Sequence, residues 1–264
     1  MIDLQGHAAL ITGSSKGVGR AIAEAYARAG ADVVINGRKR DGDVDSLIQQ
    51  LQAMGRKAAF VAADLSEAID TVVPRVFDEA IAAMPHIDIL VNNAGQFFDL
   101  PFEQMTLDRF EKTLRLNVTS GYFLTQRFAN HWIERGVAGR VLFVGSINGR
   151  LAEEGSTAYD TSKGAVEMII KTLAVALATK NIRVNGLAPG LVRTPQTAWI
   201  DTRPDDAAWI SLHTPNRQIP NADVCGGGAV YLVSDAAEHV TGQMLLIDGG
   251  MSAWQQPRRP KTRS

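Results

Sequence analysis

Tyr159 and Lys163 stand four residues apart at the head of an apolar segment. On a helix, residues i and i+4 lie on one face, so the phenol and the ammonium would be neighbours. A free tyrosine titrates near pH ~10, and a nearby cation favours its phenolate. The pair could therefore exchange a proton with an alcohol or carbonyl oxygen near neutral pH. Because this spacing also arises by chance, the prediction depends on the motifs that accompany it.

A glycine-rich turn near the N-terminus predicts a second part of the site. Residues 8–11 form a short apolar run that is typical of a buried strand. Residues 12–19 (TGSSKGVG) follow at once, and residues 18–29 have the periodicity of an amphipathic helix that ends at Gly30. Glycines let a pyrophosphate approach the free N–H groups of a helix N-terminus. The flanking strand and helix favour a dinucleotide-binding loop over a plain glycine-rich turn.

The two motifs together resemble the classical short-chain dehydrogenase/reductase family. They read Thr12-Gly13-x-x-x-Gly17-x-Gly19 and Tyr159-x-x-x-Lys163. More of the family's pattern follows in order, so that the resemblance covers residues 6 to 250: Asp64-Leu65, Asn92-Asn93-Ala94-Gly95, Asn117, Ser146 and Pro189-Gly190. The resemblance implies a seven-stranded parallel sheet in the order 3-2-1-4-5-6-7. It also implies hydride transfer between the nicotinamide of a bound cofactor and a carbinol carbon.

Four catalytic residues are implied by the resemblance: Asn117, Ser146, Tyr159 and Lys163. Tyr159 is the expected acid/base, and Lys163 is expected to lower the pKa of Tyr159 and to hold the nicotinamide ribose. Ser146 follows a predicted strand and can hydrogen-bond the developing alkoxide. The backbone of Asn117 is expected to hold a water that links the lysine to solvent. The alternative for Asn117 is a helix-interior asparagine that only competes for backbone hydrogen bonds.

The residue that follows the second strand distinguishes the two nicotinamide cofactors. An acid there would bind the ribose of NAD, whereas an arginine accommodates the 2′-phosphate of NADP. The strand at residues 32–36 leads into Gly37-Arg38-Lys39-Arg40, and no acid stands at its end. NADP is therefore the predicted cofactor, and NAD is less favoured. Arg38 is the natural phosphate ligand and Lys16 could reach the same phosphate, unless these cations are only a solvated charge run.

The cofactor-binding set combines these residues with the positions that the resemblance implies. Among the latter, Asp64 is expected to contact the adenine and Thr194 the carboxamide. The predicted cofactor-binding residues are Gly13, Ser15, Lys16, Gly17, Val18, Gly19, Arg38, Asp64, Leu65, Asn92, Ala94, Gly95, Tyr159, Lys163, Pro189, Gly190, Val192 and Thr194.

Length and patterning predict a single doubly wound α/β Rossmann domain over residues 1–254. A chain of 264 residues with 45% hydrophobic residues can bury one large core. Alternating strands and helices imply a parallel sheet with helices on both faces. Strands are predicted at 8–11, 32–36, 58–62, 87–91, 139–144, 182–187 and 244–247, and helices at 18–29, 44–54, 67–84, 106–135, 156–179 and 222–233.

Two segments depart from the alternation. Residues 194–220 contain four prolines and are long for a connection, which predicts a substrate lid. Residues 255–264 are basic, contain proline and are expected to form a solvated tail. The single Cys225 is interpreted as a small buried residue, and no metal site is predicted.

Charge and hydropathy exclude several classes of partner. The net charge of −1 gives no reason to expect binding to nucleic acid or to an anionic membrane. No stretch approaches the ~18 apolar residues of a transmembrane helix, and the N-terminus lacks the pattern of a secretion signal. The expected partners are a small-molecule substrate and other copies of the chain, and the expected location is the cytoplasm.

The substrate prediction depends on residues that follow the motifs. Polar and aromatic side chains together favour a sugar or a polyol, and the ending Asp248-Gly249-Gly250-Met251 with Trp254 is similar to sugar dehydrogenases of the family. A 3-oxoacyl thioester reductase is the alternative, since the basic tail could steer an anionic carrier. A regulator that senses NADP without catalysing a reaction is a second alternative. The predicted substrate-binding residues are Gln96, Ser146, Asn148, Glu153, Tyr159 and Trp199.

A homotetramer is the expected assembly. The predicted helices at 106–135 and 156–179 carry more apolar residues than one face can bury. By resemblance, these helices form one dimer interface and the C-terminal strand builds a second. Two isologous contacts generate a tetramer with D2 symmetry. Gly226, Gly227 and Gly228 are interpreted as allowing close backbone approach at the second interface.

Overall fold

A seven-stranded parallel sheet forms the centre of the computed structural model, which describes residues 2–254. The strand order is β3-β2-β1-β4-β5-β6-β7, so the predicted topology is confirmed. All six strand pairs are parallel, and the register of the β1–β4 pair sets Ile11 beside Val91. The strands are β1 (Ala8–Ile11), β2 (Asp32–Gly37), β3 (Ala58–Ala62), β4 (Ile89–Asn92), β5 (Gly139–Val144), β6 (Ile182–Pro189) and β7 (Met244–Ile247).

Helices cover both faces of the sheet, as the continuous apolar strands require. One face packs on α3, α5 and α6, and its core contains Phe128 and Trp132. The other packs on α1, α2 and α8, and its core contains Tyr26 and Leu47. The helices are α1 (Gly17–Arg28), α2 (Gly42–Ala53), α3 (Ile69–Ala83), α4 (Leu107–Leu114), α5 (Ser120–Arg135), α6 (Thr157–Leu177), α7 (Pro204–His213) and α8 (Val224–Val233).

The prediction of one continuous helix over residues 106–135 is wrong. A π-helical turn, Arg115–Thr119, separates α4 from α5. Hydroxyl groups stabilise it, because Thr119 Oγ1 donates to the Leu114 carbonyl at 3.4 Å and Ser120 Oγ donates to the Leu116 carbonyl at 2.7 Å. Such turns insert one extra residue and are frequent at functional sites. Here the turn contains Asn117, which is buried.

Residues 194–220 contain two helices that sequence periodicity did not predict, because prolines interrupt the pattern. A 3-10 helix (Pro195–Asp201) and the helix α7 (Pro204–His213) both begin at proline. Proline is well tolerated at the first position of a helix, where its missing N–H has no partner to lose. Trp209 on α7 is 60% exposed and stacks on His213.

Two of the three glycines of α8 are explained by packing within the chain. A Cβ atom on Gly226 would lie 2.7 Å from Ala25 Cβ, and one on Gly228 would lie 2.9 Å from Ile247 Cδ1. These two glycines let α8 pack closely on α1 and β7, so packing within the chain accounts for them without an interface. A Cβ on Gly227 would meet nothing within 4 Å. Across residues 2–254, the structure contains no helix with the length and hydropathy needed to cross a membrane.

Candidate active site

The predicted catalytic side chains meet at the carboxyl ends of the central strands. In a parallel sheet these ends lie along one edge, which is where loops converge to form a site. Ser146 comes after β5, Tyr159 and Lys163 lie in the first two turns of α6, and Asn117 lies in the π-helical turn. The Ser146 hydroxyl lies close enough to the Tyr159 phenol to lower its pKa. The ring of Phe97 packs edge-on against Tyr159, with 5.4 Å between ring centroids.

The expected effect of Lys163 on Tyr159 is not what the structure shows. Burial raises the pKa of Tyr159 to about 12; the Ser146 hydroxyl lowers it, and the charges of Asp160 and Glu153 raise it. Lys163 Nζ lies 5.5 Å from the centroid of the Tyr159 ring and donates instead to the Val144 carbonyl at 2.9 Å. Burial lowers the pKa of Lys163 to about 8, so this amine is still mostly charged at neutral pH and loses its proton within a mildly alkaline range.

Asn117 uses its whole side chain to join three parts of the site. Its Oδ1 accepts from the Gln96 backbone N–H at 2.8 Å, and its Nδ2 donates to the Gln96 carbonyl at 3.0 Å and to Ser162 Oγ at 2.9 Å. Ser162 Oγ in turn donates to the Tyr159 carbonyl at 2.6 Å. The side chain is therefore structural, and the Asn117 backbone remains the group predicted to hold a water.

The glycine-rich loop has the shape of a pyrophosphate cradle. Gly13 has a φ of +60°, and a Cβ there would lie 2.9 Å from Ala94 Cα. A Cβ on Gly19 would lie 2.4 Å from Asn93 Nδ2. Asn93 Nδ2 and Thr12 Oγ1 hold the loop, since Asn93 donates to the Thr12 carbonyl at 2.9 Å and Thr12 accepts from the Ala94 N–H at 3.0 Å. No acidic residue occupies the first turn of α1, so its N–H groups are available to an anion.

The residues predicted to distinguish NADP from NAD lie together at the end of β2. Arg38 follows Gly37 and is exposed, and a Cβ on Gly37 would lie 3.2 Å from Ser15 Oγ in the glycine-rich loop. Lys16, the residue before α1, is exposed beside them. The pKa of Asp64 is lowered: partial burial acts to raise it, but hydrogen bonds from Ser66 and the charges of Arg38 and Lys112 outweigh that effect. This corner is cationic and fits a phosphate.

The remaining predicted cofactor-binding residues differ in their contacts and in their burial. Thr194 packs on the loop, 3.6 Å from where a Cβ on Gly17 would lie, and a Cβ on Gly190 would lie 2.9 Å from Asp248 Cα. Asn92 is buried, and its Nδ2 donates to Thr125 Oγ1 at 2.9 Å, while its Oδ1 has no partner in the described residues. Of the rest, Leu65, Pro189 and Val192 are buried, Val18 is half-buried and Gly95 is exposed.

The predicted substrate residues have different environments. Asn148 is buried, and its Nδ2 donates to Asp160 Oδ1 at 2.8 Å. Glu153 is exposed, and its Oε2 accepts from Ser156 Oγ at 3.2 Å. Gln96 Nε2 is buried without a partner among residues 2–254, which leaves it a donor to offer. Trp199 is half-buried under the Arg203 guanidinium, with 5.9 Å between Cζ and the ring centroid.

Comparison with known proteins decides the family. A family model described as enoyl-(acyl carrier protein) reductase matches residues 13–252. Glucose 1-dehydrogenase of Gluconobacter oxydans is 33% identical over 250 residues, with 94% of this chain and 93% of the relative covered. The NADP(+)-dependent L-rhamnose 1-dehydrogenase of Thermoplasma acidophilum is 34% identical over 251 residues, with 95% and 98% covered. This chain belongs to the short-chain dehydrogenase/reductase family.

A solved structure of the short-chain dehydrogenase/reductase family supports the same conclusion. The gluconate 5-dehydrogenase of Burkholderia cenocepacia, solved with NADP and tartrate, superposes with a TM-score of 0.89 at 33% identity, with 96% of this chain and 98% of that chain covered. Because it belongs to this family, the protein is a dehydrogenase that acts on CH–OH groups, as the motifs predicted.

Three residues that shape the site were not among the predicted ones. Asn93 holds the glycine-rich loop and Ser162 connects Asn117 to Tyr159. Both lie inside quoted motifs, so their position was a signal, but their partners depend on tertiary contacts. Asp160 follows Tyr159 directly and accepts hydrogen bonds from the segment between Ser146 and α6. Nothing in its sequence context indicates that role.

Proposed function

We propose that the protein is an NADP(H)-dependent oxidoreductase that interconverts a secondary alcohol and a carbonyl, with a neutral sugar or polyol as substrate. The observation that carries this proposal is the junction of Ser146, Tyr159 and Lys163 beside a cradle for a dinucleotide. Tyr159 is the acid/base, Ser146 binds the substrate oxygen, and Lys163 lies behind the phenol. NADP(H), when bound, accepts or supplies the hydride.

The protonation state of Tyr159 at neutral pH suits the reduction of a carbonyl. With a pKa of about 12, Tyr159 is a neutral phenol that can donate a proton to a carbonyl oxygen. Ser146 can donate a second hydrogen bond to the charge that develops on that oxygen. Oxidation needs the phenolate, so the same environment predicts that alcohol oxidation is faster at alkaline pH.

The cofactor proposal follows from the cationic corner formed by Ser15, Lys16 and Arg38. A guanidinium at the end of β2 suits a 2′-phosphate, and the neighbouring Arg40 is already paired with Asp45 at 2.7 Å. Relatives named for NADP, and a solved relative that contains it, support this choice. Pro189, Val192 and Thr194 would close the nicotinamide side of the cradle.

The charge around Tyr159 favours a neutral substrate. The segments on either side of the phenol carry the exposed carboxylates Asp99, Glu153 and Glu154. These segments touch each other, since the Leu100 N–H donates to the Gly155 carbonyl at 2.9 Å. Carboxylates at the entrance disfavour sugar acids and anionic acyl carriers through like-charge repulsion. Hydroxyl groups of an aldose or polyol can bond both to these carboxylates and to Gln96 Nε2.

A 3-oxoacyl thioester reductase is the second candidate. The description of the matching family model names an acyl carrier protein, which is the observation in its favour. The basic segment at residues 255–264, which motivated this alternative, lies outside the described residues. The acidic entrance is the observation against it.

Steady-state turnover distinguishes the candidates. The assay measures NADP reduction with glucose, rhamnose and sorbitol, NADP reduction with gluconate, and NADPH oxidation with a short 3-oxoacyl thioester. We expect turnover with a neutral sugar or polyol and slower turnover with gluconate. Activity on the thioester alone would refute the sugar proposal. Tight NADP binding without turnover on any compound would indicate a sensor.

We also propose that the enzyme is a homotetramer. Met168 and Val175 on α6 are 57% and 81% exposed, and Tyr122 and Phe123 on α5 are partly exposed. An apolar face of this kind is unusual for a monomer and suits an interface. Leu245 on the edge strand β7 is also exposed, at the place predicted for a second contact. Light scattering at micromolar concentration tests this, and a monomeric mass would reject it.

A further inference from the structure

Two carboxylates of α6 hold the segment between Ser146 and α6: Glu167 accepts from the Arg150 guanidinium at 2.9 Å, and Asp160 binds the residues on either side of Arg150. Asp160 Oδ1 accepts from Asn148 Nδ2 at 2.8 Å, and Oδ2 accepts from the Glu153 backbone N–H at 2.8 Å. Both oxygens are therefore used, one at each end of the segment. The Asp160 N–H itself donates to the Ser156 carbonyl at 2.8 Å, within the turn that begins α6. Charge-assisted bonds of this kind are the strong ones in proteins.

The same contacts reach the reacting group in two steps. Asn148 donates through its side chain to Asp160, and its backbone N–H donates to Ser146 Oγ at 3.2 Å. The Ser146 hydroxyl in turn faces the Tyr159 phenol and lowers its pKa. The segment also lies directly on α6, because a Cβ on Gly149 would be 2.9 Å from the Lys163 carbonyl oxygen. A shift of the segment would therefore move Ser146 relative to Tyr159.

We propose that Asp160 is a positioning residue, which clamps the 146–155 segment to α6 and so fixes Ser146 Oγ against the Tyr159 hydroxyl. This inference rests on the proposed function, in which Ser146 and Tyr159 act together on the substrate oxygen. The clamp works through Asn148, so Asn148 contributes to the geometry of Ser146 and not to substrate contact. A displacement of this kind lowers turnover more than it weakens binding.

Exchanging the two side chains tests the clamp without removing it. Asp160→Ala removes both acceptors, so both hydrogen bonds are lost. Asn148→Asp sets two carboxylates against each other. The double variant Asn148→Asp/Asp160→Asn restores both bonds with the donor and acceptor of the side-chain pair reversed, because the new amide can accept from the Glu153 N–H and donate to the new carboxylate. Asp78→Asn on the exposed face of α3 is the matched control.

Two readouts are measured for the five proteins. The first is kcat and KM for the compound that the wild-type enzyme oxidises, across pH. The second is amide hydrogen exchange of the peptide that covers residues 146–155, which requires no substrate. We expect each single variant to lose about tenfold or more in kcat with little change in the KM for NADP, and to exchange faster in this peptide. The double variant should return to within a few-fold of wild type in both.

The pH profile separates positioning from general stabilisation. The charged or hydrogen-bonding groups that face the Tyr159 phenol are Ser146, Glu153, Asp160 and Lys163. Removing the Asp160 charge should move the oxidation profile of Asp160→Ala to lower pH, while Asp78→Asn should leave it unchanged. A loss of fold alone would not move the profile of the active fraction.

The outcomes also distinguish this inference from the proposed function. If the wild-type enzyme oxidises none of the compounds, the proposed function fails, and hydrogen exchange still reports whether the clamp exists. Wild-type kcat and wild-type exchange in Asp160→Ala would overturn the clamp, as would a double variant no better than the worse single one. If both single variants fail to fold, the exchanged pair decides: recovery of folding and turnover supports the clamp, and failure of the pair overturns it.

Discussion

Replacing Lys163 by methionine should change how the stability of the protein depends on pH. Lys163 is buried in α6, where its Nζ donates to the Val144 carbonyl. Burial lowers the pKa of Lys163 from 10.5 to about 8, so the folded protein releases this proton more readily than the unfolded chain does. Between about pH 8 and 10.5 the unfolded chain therefore binds more protons at this residue, and the free energy of unfolding rises with pH.

The size of the effect follows from the two pKa values. One pH unit between them corresponds to ~1.4 kcal/mol, so burying the charged form costs about 3 kcal/mol below pH 8. At about pH 6.5 the wild-type protein bears this whole cost, and at about pH 9.5 it has recovered about 2 kcal/mol. Lys163→Met lacks the ionisable group. Its stability relative to wild type should thus be about 2 kcal/mol more favourable at the lower pH.

Urea unfolding without added cofactor, at both pH values, measures this difference. Lys163→Met also loses the hydrogen bond to the Val144 carbonyl. That loss changes the free energy of unfolding by the same amount at both pH values, so it does not produce the dependence on pH. Lys180→Met is the matched control, since Lys180 is exposed and its replacement should leave the difference near zero. An equal stability difference at both pH values for Lys163→Met would refute the argument that burial suppresses the charge of this lysine.

Three further predictions concern the cofactor cradle and the pH dependence of the reaction. Arg38→Ala should weaken NADP at least tenfold more than NAD because a charge-assisted pair is lost, and fluorescence titration of both cofactors checks it; equal weakening would transfer the role to Lys16. Gly19→Ala should destabilise the protein by about 1–3 kcal/mol in thermal melts and weaken cofactor binding, because its Cβ would meet Asn93 Nδ2 and the Gly13 carbonyl. Gly227→Ala is the control: its Cβ has room, so the same melts should show α8 stabilised by up to about 1 kcal/mol. Alcohol oxidation should quicken as pH rises above neutral, because burial raises the pKa of Tyr159 to about 12 and the base is its phenolate; a rate independent of pH across that range would contradict the assignment.

The family resemblance implied the order of the seven strands, and local sequence patterns predicted where each strand lies. The βα alternation and the glycine-rich loop are local patterns, and each strand boundary falls within a few residues of its prediction. The helix α7, within the segment predicted as a lid, was not predicted, because its amphipathic pattern is weak and prolines flank it. The π-helical turn at Arg115–Thr119 was missed for a different reason, since the apolar periodicity continues through it.

The electrostatics of the site could not be predicted from spacing. The four-residue interval correctly brings Lys163 near Tyr159, but the effect of each charge depends on burial and on competing partners. The Val144 carbonyl accepts a hydrogen bond from the Lys163 ammonium, and burial is the largest influence on the pKa of Tyr159. The role of Asn148 likewise depends on Asp160, twelve residues away, a contact that no local pattern indicates.

Replacing Tyr159 by phenylalanine tests the central claim most directly. The variant keeps the ring that packs against Phe97 and removes only the hydroxyl that faces Ser146. We predict that Tyr159→Phe binds NADPH within a few-fold of wild type, yet its steady-state turnover of the sugar or polyol falls by about a hundredfold or more. Turnover close to that of wild type, with cofactor binding intact, would contradict the assignment of Tyr159 as the acid/base and with it the proposed mechanism.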